Sequence, residues 1–210
     1  VSPRSGQSAS QRVAIPSVDN VDHSDLDRLA AEVVEPDAAH FRTLDAERRV
    51  RHDAGSSADH HALVVLISDN PSDPQASGDL VAELLAEESF IVDAVLTVES
   101  RKSIIRNAIE TAVVGGADLV VTIGGTGMGS RDRAPEATRT LLDRKIPGIA
   151  EAIRSSGLSA NSMDAALSRG VAGVSGSTVV VNLAGSRGAI RDGMATLCPL
   201  VRHVLDEMSS

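Results

Sequence analysis

The chain has no tryptophan, no tyrosine and two phenylalanines, Phe41 and Phe90. A core built under that restriction must come from Val, Leu, Ile and Ala, the usual filling of a parallel sheet covered on both faces. Stacking on single-stranded nucleic acid needs aromatic faces that the sequence does not hold. A lone cysteine, Cys198, excludes an internal disulfide and a cysteine-cluster metal site, and beside Pro199 it reads as a small apolar filler. The formal charge is -9, so there is no broad basic field to draw nucleic acid or an anionic membrane. Any anionic ligand must be held by local geometry instead. The six histidines show no zinc-binding spacing, and no zinc is expected. No apolar run approaches the ~18 residues of a membrane span and the first residues carry no apolar signal core, which points to the cytoplasm. Val1 is compatible with processing, trimming or an alternative start codon.

What the chain does contain divides at about residue 60. Residues 1–60 are polar and mixed in charge, with Leu26, Leu29, Ala30 and Val33 at helical spacing between a cap at Ser24 or Asp25 and a stop at Pro36. This extension reads as largely disordered or short helical, and as a possible site for a protein partner. Residues 61–210 are regular. Apolar runs at 62–68, 90–98, 118–123 and 177–183 read as strands, and the 77–89 and 103–115 segments between them read as helices, the second ended by Gly115 or Gly116. Further helices are predicted near 135–144, 148–155, 161–170 and 189–208. Strands alternating with helices require right-handed crossovers, and so a mainly parallel sheet in a three-layer α/β/α fold.

Each predicted strand ends on a polar or glycine segment: Ser68 and Asp69, Glu99 and Ser100, Gly124 to Gly129, and Ala184 to Ser186. In an open parallel sheet these carboxyl ends line the ligand crevice. Gly124, Gly125, Gly127 and Gly129 crowd into six positions, a density that favours a phosphate cradle of backbone N–H groups over a plain tight turn. Thr126 adds a hydroxyl. The loop is neither a dinucleotide fingerprint, since Ser130 stands at the third glycine position, nor a P-loop, since no lysine follows. Asp132 either holds Mg²⁺ between itself and the phosphates or caps the helix near Pro135, and Asp69 poses the same choice. Arg169, after Ser168, either pairs with a phosphate or complements a helix C-terminus. Gly185, Ser186 and Arg187 precede the last helix, whose first N–H groups form another anion site. The 173–177 stretch fails as a nucleophile elbow because Ser177 occupies the last glycine position.

These segments, "VVTIGGTGMGSRDRAPEAT", "IPGIAEAIR" and "ALSRGVAGVSGSTVVVNLAGS", in that order, resemble the MogA/MoaB family of molybdenum-cofactor biosynthesis, which includes the related domain of gephyrin. The resemblance spans about Ala62 to Met208. It implies an α/β fold, a homotrimer, molybdopterin binding and, in catalytic members, transfer of AMP from Mg-ATP to the terminal phosphate of the pterin. By the same analogy Gly125, Thr126 and Gly127 hold phosphates and Asp132 serves the metal or the transfer. Ser68, Asp69, Ser168, Gly185 and Ser186 line the site, and Gly124 and Arg169 are added to the substrate-binding set from the residues themselves. Catalytic relatives usually carry a Pro-Asp-Asp-like segment after the second strand, where this chain has Glu99, Ser100 and Arg101; Glu99 is the expected substitute. The turns at 77–79 and 184–187 also depart from the family's proline-containing forms. Those departures leave room for a non-catalytic paralogue that binds pterin or a protein partner.

Overall fold

The structure, a computed structural model, describes Thr43, Ala46, residues 60–69 and residues 74–209. The helix predicted over 24–33 lies outside them. In chain order the elements are β1 (His60–Ile67), α1 (Pro74–Glu87), β2 (Phe90–Val98), α2 (Lys102–Val114), β3 (Leu119–Ile123), α3 (Ala134–Arg139), β4 (Arg144–Lys145), α4 (Pro147–Ser159), α5 (Met163–Leu167), β5 (Ala172–Ser175), β6 (Thr178–Leu183) and α6 (Arg187–Ser209).

Six strands form one sheet in the order β2-β1-β3-β6-β5-β4. The β1–β2, β1–β3 and β3–β6 pairs are parallel, whereas β5 runs antiparallel to both β6 and β4. The four predicted strands form the parallel part. Two strands escaped the sequence reading, and both have physical reasons. The tetrapeptide of β5 is buried throughout and so shows no alternation. A Cβ on its Gly173 would lie 2.3 Å from the Arg144 carbonyl, so the strand is written in a small residue that permits close backbone approach. The two residues of β4 are both exposed. The helix expected over 135–144 stops at Arg139, and the one expected over 161–170 spans only 163–167, leaving Ser168 and Arg169 in extended chain after it.

Strand alternation sends side chains to two faces. Val64, Val121 and Val181 pack with Leu85 of α1 and with Ile190, Leu197 and Val201 of α6 on one face. On the other, Val65, Val120 and Val180 pack with Ile105 and Ile109 of α2 and Ala137 of α3. The result is the three-layer arrangement, with the carboxyl ends of β1, β2, β3 and β6 at one rim. Among the described residues no helix is long and apolar enough to cross a membrane.

Cys198 is fully enclosed in the α6 face of the core. Burial, with some help from the charge of Glu88 and against that of Arg202, pushes its thiol from 9.0 up to about 12. The folded state therefore holds the thiol proton more tightly than the unfolded chain, and this contribution to stability is complete below pH 9 and declines as pH rises towards 12. Native protein at pH 8 therefore holds this thiol in its unreactive protonated form. Labelling by a thiol-selective disulfide reagent at pH 8 is expected to follow global unfolding. A stoichiometric burst from native protein would contradict that placement.

Candidate functional site

The loops at the carboxyl rim touch one another. A Cβ on Gly124 would sit 2.9 Å from the Ile67 carbonyl at the end of β1, and one on Gly185 would sit 3.4 Å from the Gly124 Cα. Ser68 N–H donates to Val98 O at 3.0 Å, joining the ends of β1 and β2. Gly124 and Gly125 have φ of 96° and 63°, the left-handed region that side chains rarely adopt. The chain leaving β3 thus turns sharply, and Gly125 O accepts the Ala134 N–H at 3.1 Å where α3 begins.

Gly124 donates its N–H to Leu183 O at 2.9 Å, so its part is to shape the turn. The next N–H groups, from Gly125 to Met128, meet no acceptor among the described residues. They remain available to an anion. Thr126 is 4% exposed, so its side chain is buried in the loop.

Asp132 curls back under this loop. Its Oδ2 accepts the Gly129 N–H at 2.7 Å, and a Cβ on either Gly127 or Gly129 would come within 2.8 Å of the same oxygen. Those two glycines clear the space in which the carboxylate sits. The cap position of α3 is Arg133, with no side-chain cap, so Asp132 does not serve as the helix cap. Among the described residues no three His, Cys, Asp or Glu side chains gather closely enough to cage a metal. Such a site suits only an ion that takes most of its ligands from water and substrate phosphates, as Mg²⁺ does. Asp132 with one oxygen outside the Gly129 bond fits that demand.

Arg169 does more than the sequence indicates. Its backbone N–H donates to Thr126 O at 2.9 Å, its Nε to Gly127 O at 2.7 Å and one terminal nitrogen to Asp132 O at 2.6 Å. The other terminal nitrogen is paired with Glu136. Burial pushes the Glu136 carboxyl up, but the hydrogen bond and charge of Arg169, helped by a backbone bond and by Arg139, hold it below 4.5.

The remaining predicted residues fall into two groups. Asp69 accepts the Ser100 N–H at 2.8 Å and an ion pair from Arg131 at 3.1 Å, while the Ser100 hydroxyl donates to Arg131 O. Ser100 thereby bolts the end of β2 to the glycine loop, and Arg131, which the sequence reading missed, stands as an exposed cation at the rim. Ser168 and Ser186 share a separate cavity of about 170 Å³, bordered also by Ala184, Gly188 and Asp192. Ser186 Oγ accepts the Ala189 N–H at 3.3 Å at the start of α6. Glu99 stands apart, exposed and paired with Arg101 at 3.1 Å. A larger groove, about 670 Å³, lies between β4, the β5–β6 turn and the end of α6, away from these loops.

A doubly covered, mainly parallel sheet with its glycine-rich loops gathered at the carboxyl rim defines an α/β protein whose ligand crevice lies at that rim. The chain belongs to the MogA/MoaB family of molybdenum-cofactor biosynthesis: the family model described as a probable molybdopterin binding domain matches residues 65–203. It is 37% identical over 153 residues to molybdenum cofactor biosynthesis protein B of Bacillus cereus, covering 69% of this chain and 88% of that one. It is 36% identical over 154 residues to a molybdenum cofactor biosynthesis bifunctional protein of Synechococcus elongatus, covering 72% of this chain and 48% of the relative. This chain thus corresponds to about half of that bifunctional protein. A crystal structure of a molybdopterin biosynthesis protein from Mycobacterium abscessus superimposes with a TM-score of 0.70 at 59% identity, covering 71% of this chain and 96% of that one.

Proposed function

We propose that this protein acts in molybdenum-cofactor biosynthesis, binding molybdopterin and transferring AMP from Mg-ATP to the pterin's terminal phosphate. The observation that carries this reading is the run of N–H groups from Gly125 to Met128 that meet no acceptor among the described residues, flanked by the Asp132 carboxylate. Those donors would take phosphate oxygens and offset the charge that builds on them as the α-phosphorus exchanges pyrophosphate for the pterin phosphate oxygen. Asp132 would hold Mg²⁺, which supplies charge neutralisation when it arrives with the nucleotide. Positioning does the rest, and no covalent enzyme intermediate is needed. The cavity shared by Ser168 and Ser186 offers hydroxyls and an apolar wall to the pterin body. Met128, Met163 and Leu167, 72%, 77% and 59% exposed, supply apolar contact for the homotrimer of a cytoplasmic protein. Purified chain given molybdopterin, ATP and Mg²⁺ is expected to release pyrophosphate and form the adenylylated pterin. No product, under conditions where an active family member makes it, would overturn the enzymatic reading.

A second reading rests on Ser100. Its N–H and hydroxyl are both spent on Asp69 and Arg131, and Glu99 is turned into an ion pair with Arg101. The β2 end then offers no carboxylate to the transfer, and the protein binds pterin or a protein partner without turnover, with residues 1–58 serving the partner. Tight pterin binding without product, together with loss of a partner on deleting residues 1–58, is the outcome this reading expects. Adenylylated product would exclude it.

A further inference from the structure

One residue, Arg169, sets which way the glycine loop faces, through its main-chain N–H and its guanidinium. In a trans peptide the C=O of one residue and the N–H of the next point in opposite directions. Arg169 holds the carbonyls of Thr126 and Gly127 from one side, through its own N–H and its Nε. The N–H groups of Gly127 and Met128 must therefore face the other side. The same guanidinium holds Asp132 O, at the far end of the loop, and is itself fixed by Glu136 on α3. A planar fork with fixed donor directions can satisfy three acceptors at once, whereas an ammonium on a flexible stem cannot reproduce that geometry.

We propose that Arg169 is a positioning residue: with Glu136 as its anchor, it presets the 126–132 loop so that the Gly127 and Met128 amides face a phosphate before any ligand arrives. It acts on the ligand through the loop rather than by touching phosphate. This deepens the phosphate-cradle reading above and rests on it for the identity of the ligand, but the state of the loop can be measured without a ligand. Preorganised donors bind anions without the cost of ordering a glycine-rich segment, which has more backbone freedom to lose than any other.

The test uses the full chain with Arg169→Lys, Arg169→Gln and Glu136→Gln. Amide hydrogen exchange without ligand, read at the hydrogen-bonded loop amides of Gly129 and Asp132, is expected to quicken by about tenfold or more in both Arg169 variants and by a smaller factor in Glu136→Gln, with β3 and β6 amides unchanged. Calorimetry with inorganic pyrophosphate is expected to show affinity falling about tenfold or more in Arg169→Lys as well as in Arg169→Gln, because retained charge does not restore the fork. Loop exchange that matches the parent in Arg169→Lys would overturn the proposal. So would pyrophosphate affinity within about twofold of the parent in that variant, the result expected of a cation that merely contacts phosphate. If an Arg169 variant unfolds globally, Glu136→Gln decides the matter, and parent-like loop exchange there overturns the proposal. A parent chain that fails to bind pyrophosphate sinks the cradle reading, while the exchange rates still judge the clasp.

Discussion

Asp132→Asn is expected to lower the proposed adenylyl transfer by ~10²-fold or more while leaving the fold intact. Asparagine keeps an oxygen for the Gly129 N–H, the bond that Oδ2 makes at 2.7 Å, so the loop retains its internal tie. What disappears is the negative charge. A carboxylate beside phosphate oxygens is repulsive unless a cation lies between them, and its value is greatest where charge accumulates during transfer. The loss should therefore appear in kcat, with KM for the pterin changed little. Gly127→Ala supplies a second route to the same result. Its new Cβ would come within 2.8 Å of Asp132 Oδ2 and must push the carboxylate aside, so turnover should fall although the acid itself is retained. Equal kcat in parent and Asp132→Asn, with thermal midpoints matched, would remove Asp132 from the chemistry.

The parallel half of the fold was legible because its signals are local. β2 spans the predicted 90–98, and α2 begins and ends within one residue of the predicted 103–115. Convergence of the loops was also legible, since it follows from the carboxyl-end rule once four parallel strands are granted. The antiparallel extension was hidden by composition: Gly173 answers a close approach to Arg144 that no neighbour in sequence announces. Arg169 illustrates the limit best. From sequence it was a cation near a helix end, with phosphate pairing and dipole complement as its two meanings. Its actual acceptors, Gly127 O and Asp132 O, are 42 and 37 residues away in the chain, and only the fold brings them together. Arg131 was missed because an exposed arginine beside an aspartate reads as ordinary surface, and its tie to Asp69 spans the rims of two strands.

The long-range polar tie beneath the site leads to the largest expected stability loss, in Asn182→Leu. Asn182 is 3% exposed on β6, and it was read only as part of an apolar strand run. Its amide donates to the hydroxyls of Thr122 on β3 and Thr138 on α3, both at 2.8 Å. Its oxygen accepts the Val171 N–H at 3.2 Å ahead of β5. Leucine matches the volume but leaves that N–H and two hydroxyls enclosed without this partner. At about 1–3 kcal/mol for each unsatisfied buried group, and with partial relaxation, the loss should reach about 3–5 kcal/mol in denaturant unfolding. Thr138→Val removes one acceptor and leaves the amide its second, for a loss of about 1–2 kcal/mol. Because both changes act on one bond, the double variant should be more stable than the sum of the single effects by more than about 0.5 kcal/mol. Strict additivity would show that the Asn182–Thr138 bond carries no coupling. α3 also bears Glu136, the anchor of the Arg169 clasp, so loosening α3 at Thr138 should quicken exchange of the bonded loop amides of Gly129 and Asp132 as well.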